Sequence, residues 1–210
     1  MNKPRIKILQ YMHGQQEYFS WSEKINQSYC HRHGYDYVIS RVAPRKDRHV
    51  VWQKLEAILE ELYGCDYLLY VDADAFFYSH ELRIEEEFIP LMADKSILMA
   101  SDIASEKRRW NPKKPNSGVM LMKPNDFVKE FYRFWNEVTD TQNSVRWNWP
   151  PTQNALWNFV LPQFPEAIQL CKEYYLIQGE FGMFIRHLML ASDAKRTETM
   201  KEFCQKRNIQ

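Results

Sequence analysis

The residues best suited to chemistry are two aspartates separated by one small residue, in Val71-Asp72-Ala73-Asp74-Ala75, reached directly from the apolar run Tyr67-Leu68-Leu69-Tyr70-Val71. A short continuous apolar run of this kind forms a strand buried on both faces. In extended chain, side chains at i and i+2 point the same way, about 6–7 Å apart at the backbone. Two carboxylates can therefore converge on one ion. Placing both at the edge of a core costs several kcal/mol unless a cation or hydrogen bonds compensate. Hard oxygen donors suit magnesium or manganese, which keep water or phosphate oxygens in their remaining positions. A metal–diphosphate site is the favoured reading. The alternative, two solvated acids closing a strand, fits poorly with the apolar Phe76-Phe77 that follows.

The elements that must hold this pair show in the periodicity. Arg5 to Met12 reads as a first strand, and Trp21, Ile25 and Tyr29 recur at intervals of four on a helix that Gly34 can close. Tyr35 to Ser40 follows as a second strand. After a polar segment, Arg41 to His49, the residues Trp52, Leu55, Ile58, Leu59 and Leu62 form one helical stripe that stops near Gly64. Further strands are expected at Ser96 to Ala100 and Gly118 to Met122. Asn125 as N-cap opens a helix to Val138 with Phe127, Phe131, Phe134 and Trp135 at helical spacing. Beyond about residue 140 the pattern is less regular: Arg146 to Pro151, a short apolar helix from Gln153 to Leu161, and a tail turning charged after Ser192. Strands alternating with helices through the first 140 residues predict an α/β fold with a mostly parallel central sheet flanked by helices. Ligands of such sheets gather at the carboxyl ends of the strands.

The 210 residues suit one domain. Lysine plus arginine (28) against aspartate plus glutamate (27) leaves a net charge of +1, so no overall field draws the chain to nucleic acid or an anionic membrane. A 45% apolar and 15% aromatic content excludes wholesale disorder. With only 6 glycines and neither GxGxxG nor GxxxxGK[ST], a dinucleotide fold or P-loop is improbable. Cys30, Cys65, Cys171 and Cys204 are far apart and make no CxxC, which argues against a zinc site or disulfide scaffold. No signal sequence or membrane span is apparent, and a cytoplasmic location is expected, the host cytoplasm if the chain is viral. Asn26-Gln27-Ser28 fits a glycosylation sequon and is read as accidental.

Val51-Trp52-Gln53-Lys54-Leu55, then Tyr67 to Phe77 with its Asp-Ala-Asp, then Asn116-Ser117-Gly118-Val119-Met120-Leu121-Met122, resembles the core of metal-dependent GT-A nucleotide-sugar glycosyltransferases. The likeness is greatest to the galactosyl-, xylosyl- and mannosyltransferase group that includes yeast mannan and plant xyloglucan enzymes. It is also similar to small soluble glycosyltransferases of large chlorella viruses, which implies viral glycosylation as one setting. The resemblance implies a single GT-A domain over 1–210, with a Rossmann-like nucleotide-binding half to about residue 115 and an acceptor and donor-sugar half beyond it. It also implies that Asp72 and Asp74 are the DxD pair and that His187, in Phe184-Ile-Arg-His-Leu188, completes the metal shell. Lys54 matches a family lysine that approaches the donor; its spacing puts it at the flank of the apolar stripe, where a solvated helix lysine is nearly as good a reading. Asn116, Ser117 and Gly118 match the turn lining the donor sugar. Gln153 matches the Gln of an Asp-Gln pair whose Asp is replaced here by Thr152. The Gly expected soon after the late His is missing, with Leu190 and Ala191 in that region. Gln10, Tyr11 and His13 sit where such folds place the nucleotide base. Trp147 and Trp149 are candidates for an acceptor platform.

The implied activity is transfer of a sugar from a UDP-sugar donor to a hydroxyl of a glycan or glycoprotein acceptor. Mn²⁺ or Mg²⁺ would neutralise the departing diphosphate, with Asp72, Asp74, Lys54 and Gln153 carrying the catalytic work. Lys54 or Arg186 could add a charge-assisted contact. Retention of anomeric configuration is expected; inversion would need a carboxylate base, for which Asp102 and Glu180 are candidates. Two alternatives stay open. One is a nucleotide-sugar or carbohydrate-binding module without turnover. The other is a haloacid dehalogenase-like phosphatase, which usually carries Thr or Val where Phe76 stands and a later acidic pair, whereas no Asp-Asp occurs here.

Overall fold

Strand β3 (Tyr67–Val71) lies at the centre of the fold because both of its faces can be covered. Leu68 and Tyr70 point into one apolar cluster with Leu55, Ile58, Phe131 and Trp135, while Leu69 and Val71 point into another with Tyr29, Phe77, Phe88 and Phe184. The computed structural model describes residues 3–102, 111–141, 150–171 and 180–209. Among them β1 (Ile6–Tyr11), β2 (Asp36–Ser40), β3, β5 (Ile97–Asp102), β6 (Asn111–Met122) and β7 (Ile168–Cys171) form one sheet in the order β2-β1-β3-β6-β5-β7. Three of its five pairings are parallel; β6 runs antiparallel to both β3 and β5. Only eight residues separate the end of β5 from the start of β6, too few for the crossover a parallel pairing needs. The half-way boundary expected near residue 115 falls inside β6, so the two halves share this sheet.

Helix α1 (Glu17–His33) ends at Gly34, whose left-handed backbone (φ 67°) closes it as expected. Helix α2 (Gln53–Glu61) follows a 3-10 turn at Val50–Trp52. A short α3 (Ile84–Glu87) precedes β5, and α4 (Asp126–Thr141) lies against α2. Asn125 caps α4, its Oδ1 accepting from the Val128 amide at 2.9 Å, while its Nδ2 donates to Ser96 at 2.9 Å. The short apolar helix after Pro150 is α5 (Pro151–Ala155), continued by a wider turn at Leu156–Val160.

Four features depart from the sequence reading: β6 starts at Asn111 rather than Gly118, and the edge strand β7 was not expected, besides the two that follow. A second sheet of two strands pairs β4 (Ala75–Phe77) antiparallel with β8 (Ile185–His187), over 100 residues away in sequence. Runs of three residues are too short to carry a detectable period. The charged tail is a helix, α6 (Asp193–Arg207), with Ser192 as N-cap. It is anchored by Met200, Phe203 and Cys204 at helical spacing, packed with Ile25 and Phe76. This stripe is narrow enough for the charges around it to mask it. No described helix is long and apolar enough to cross a membrane.

Because the Asn125 side chain both caps α4 and ties it to Ser96, Asn125→Ala should lower stability by about 1 kcal/mol. The check is a shifted urea midpoint at unchanged slope.

Candidate active site

β1 and β3 are parallel with Gln10 opposite Val71, so Tyr11 and Asp72 leave the sheet at the same edge. The chain turns there, the Ala75 amide donating to the Asp72 carbonyl at 2.9 Å before β4 begins. In β4–β8 the register sets Ala75 opposite His187, and the Leu188 amide donates to the Asp74 carbonyl at 3.0 Å. That register delivers the imidazole to the aspartate pair. His187 Nε2 lies 3.1 Å from Asp74 Oδ1 and 3.7 Å from Asp72 Oδ2. One ligand atom from each of Asp72, Asp74 and His187 falls within 4.8 Å of the others.

The oxygens not facing His187 are held by protein donors. Asp72 Oδ1 accepts from the Tyr70 hydroxyl at 2.8 Å and lies 3.4 Å from Lys54 Nζ. Asp74 Oδ2 is paired with the Arg196 guanidinium at 2.8 Å. Each carboxylate thus keeps one oxygen aimed at the imidazole, which suits one-oxygen ligation of a divalent cation. Enclosure deepens across the trio, side-chain exposure being 28% at Asp72, 13% at Asp74 and 4% at His187. His187 Nδ1 is buried without a hydrogen-bond partner. Two hard oxygens and a borderline imidazole nitrogen converging on one point fit a divalent metal.

β6 builds the wall facing the pair. Its pairing with β5 shifts between Met99–Met120 and Ala100–Asn116, so residues 117–119 have no partner in β5, while Val119 stays paired with Val71 of β3. The Gly118 carbonyl accepts from the Asp72 amide at 2.7 Å. A Cβ built on Gly118 would meet the His187 ring at 2.0 Å, so the ring lies directly on this backbone. Lys54, exposed only 5%, donates to the carbonyl and the hydroxyl of Ser117 at 3.0 and 3.1 Å. It is a buried brace rather than a solvated helix lysine. Asp102 Oδ1 accepts from Asn116 and from Gln153, at 3.2 and 3.3 Å, and Gln153 Oε1 accepts from the Ser117 amide at 3.3 Å.

Asp72, Asp74, His187, Lys54, Asn116, Ser117, Gln153, Tyr11 and His13 all line one cleft of about 660 Å³. Tyr11 forms part of the core and donates its hydroxyl to the Val42 carbonyl at 3.3 Å while lining the cleft; His13 is exposed.

Four of the expected residues do not line the cleft. Gln10 is fully buried behind the site and does not line the cleft. Its Nε2 donates to the carbonyls of Asp72 and Ala75 at 3.0 and 3.3 Å, and its Oε1 accepts from Asn26 at 2.9 Å. The reason is strand alternation: Tyr11, one residue on, takes the other face. Gly118 is covered by the His187 ring, so the close approach it permits is to the imidazole. The same alternation separates Arg186 from His187: the Arg186 guanidinium lies 3.3 Å over the Tyr78 ring, outside the cleft. Glu180 is exposed and outside the cleft, whereas Asp102 lines it. Trp147 and Trp149 lie outside the described residues. Asn26 is buried within the Gln10 network, which agrees with an accidental sequon.

Tyr70 and Arg196 were not anticipated. Tyr70 shares a strand face with Asp72, a period-2 relation the sequence does contain. Arg196 becomes visible only once α6 docks. Tyr18 and Trp157 also line the cleft; Trp157 Nε1 donates to the Pro115 carbonyl at 2.8 Å.

Two outcomes follow for metal binding. Gly118→Ala forces the ring off its seat and should weaken Mn²⁺ binding at least tenfold, at a stability cost of about 1–3 kcal/mol, as read by calorimetric titration and thermal melting. Burial alone would lower the His187 pKa. The charge of Asp74, its hydrogen bond and the charge of Asp72 outweigh burial and raise it. Metal must displace that proton, so Mn²⁺ affinity should fall as pH drops through the raised value, with proton release on binding above pH 6.5. A pH-independent affinity between pH 6 and 8 would contradict the imidazole as a ligand.

Comparison with known proteins places this geometry. Residues 6–114, just over half the chain, match the profile of the galactosyl transferase GMA12/MNN10 family. No curated protein matches the sequence. Among solved structures, a glycosyltransferase involved in glycosylation of the major capsid of PBCV-1 is similar at TM-score 0.74 and 15% identity, over 95% of this chain and 100% of the other. The glycosyltransferase GlyE of Streptococcus pneumoniae TIGR4 matches at TM-score 0.58 and 11% identity, over 99% of this chain and 64% of that one. The galactosyltransferase LgtC, in complex with donor and acceptor sugar analogues, matches at TM-score 0.58 and 10% identity, over 95% of both chains. The fold is GT-A, and family membership displaces the phosphatase alternative. With its Asp-Ala-Asp turn on the family core, the chain belongs to the galactosyl transferase GMA12/MNN10 family and is a glycosyltransferase.

Proposed function

We propose that the protein transfers a sugar from a UDP-sugar to a hydroxyl of a glycan or glycoprotein, with Mn²⁺ or Mg²⁺ held by Asp72 Oδ2, Asp74 Oδ1 and a ring nitrogen of His187. The observation that carries this is the convergence of those three side chains within 4.8 Å at the head of a 660 Å³ cleft. When bound, the cation supplies a Lewis acid that offsets charge on the departing diphosphate. The chain's own groups bind and orient. Tyr11 and His13, at the end of β1, are on the side proposed for the base, and the half before about residue 115 is the nucleotide half. Lys54 holds Asp72 and the Ser117 backbone in one frame. Asn116, Gln153 and Asp102, already hydrogen-bonded to one another, offer a polar wall for donor-sugar hydroxyls.

Retention of configuration is the proposed outcome. With Asp72 and Asp74 given to the metal, Asp102 is the one carboxylate left in the cleft among the described residues, and its Oδ1 is engaged by Asn116 and Gln153. That engagement suits a positioning acceptor better than a free base.

The test is UDP release from a panel of UDP-sugars. Release should require Mn²⁺ or Mg²⁺ and stop with EDTA; undiminished release in EDTA would sink the metal reading. Asp74→Asn should reduce turnover by about 10²–10³ while the circular dichroism spectrum is preserved. Proton NMR of the fresh product should show the donor's anomeric configuration, and the opposite anomer would reassign Asp102 as base.

A further inference from the structure

We propose that Arg196 is a positioning residue for the metal site, fixing Asp74 as a one-oxygen ligand and locking the His187-bearing strand to it. The inference rests on the metal reading of Asp72, Asp74 and His187.

Each of the three nitrogens of the Arg196 fork has a partner. One arm meets Asp74 Oδ2 at 2.8 Å and the Met189 carbonyl at 3.3 Å, the other meets Asp193 Oδ1 at 2.8 Å, and Nε donates to the Leu188 carbonyl at 3.1 Å. Leu188 and Met189 are the residues immediately after His187. One guanidinium therefore grips the carboxylate of one ligand and the backbone following another. Its side chain is 16% exposed and faces the Tyr18 ring at 5.3 Å. A planar fork can satisfy a carboxylate and two carbonyls together; an ammonium cannot hold that set in one geometry. With Oδ2 occupied, Asp74 offers only Oδ1 toward His187. The anchor is α6, whose Met200, Phe203 and Cys204 fix it to the body of the fold. The ligand geometry thus depends on a helix that contributes no ligand.

The experiment is titration of the full chain with Mn²⁺ alone, followed by calorimetry and by the Mn²⁺ EPR signal, for wild type, Arg196→Met and Arg196→Lys. Expected is an affinity loss of about 10–100-fold in Arg196→Met, with partial recovery in Arg196→Lys, which restores the charge without the fork. A purely architectural arginine would lower the melting temperature and leave the Mn²⁺ affinity of the folded protein unchanged. Should Arg196→Met fail to fold, Arg196→Lys decides, with a loss of at least threefold expected. Affinity within twofold of wild type, or tighter as removal of a nearby positive charge alone would give, overturns the proposal. If wild type itself binds no Mn²⁺, with or without UDP, the metal reading has failed instead, and this inference with it.

Discussion

Two carboxylates stand with a single residue between them at the mouth of a buried strand, and their desolvation is the constraint around which the site is arranged. Like charges at that separation repel, and removal from water penalises both. The chain meets this by giving each aspartate a cationic neighbour on its outer oxygen, Lys54 for Asp72 and Arg196 for Asp74. The inner oxygens are left facing one imidazole. Burial would neutralise Asp74, but His187 and Arg196 outweigh it and hold the carboxyl below the usual aspartate range. The group is therefore ready to ligate without first losing a proton.

Rigidity behind the pair comes from a polar network sealed inside the fold. Gln10, Ser22 and Asn26 meet the carbonyls of Asp72 and Ala75, and the Phe77 amide donates to Asn26 at 3.0 Å. A buried network whose members are matched to one another orders a turn more firmly than apolar packing, because any rotation strands a donor or acceptor. In front, the bulge in β6 and the missing Cβ of Gly118 give the imidazole a flat backbone seat. Geometry is thus set from three directions: the network below, β6 beside, and α6 above.

The structural neighbours share this fold at 10–15% identity. A scaffold can persist over that divergence because its core asks only for apolar volume on a fixed pattern, while recognition changes in the cleft wall. Thr152 illustrates the point. It stands where an acid is expected, and its carbonyl accepts from Trp135 Nε1 at 3.0 Å. The carboxylate in that part of the wall comes instead from Asp102, which accepts from Gln153 at 3.3 Å.

Strands β1, β2, β3 and β5, the helix closed by Gly34, the Asn125 cap and the chemistry of Asp72 and Asp74 were legible in the amino-acid sequence, because each is written in local periodicity or in a single turn residue; β7 and the first half of β6 were not. The resemblance to known glycosyltransferases supplied His187, Lys54, Asn116 and Gln153 but not what each of them touches. Gln10 illustrates the limit: alternation along β1 is visible in the sequence, yet which face meets the cleft is decided by what packs against it. The β4–β8 register, the seat of His187 on Gly118, and the reach of Arg196 to Asp74 join residues about 70 to 120 positions apart. Contacts of that span have no local period to announce them. They exist only after the core has closed, because burial of β3 and docking of α6 are what bring those chain segments to one point.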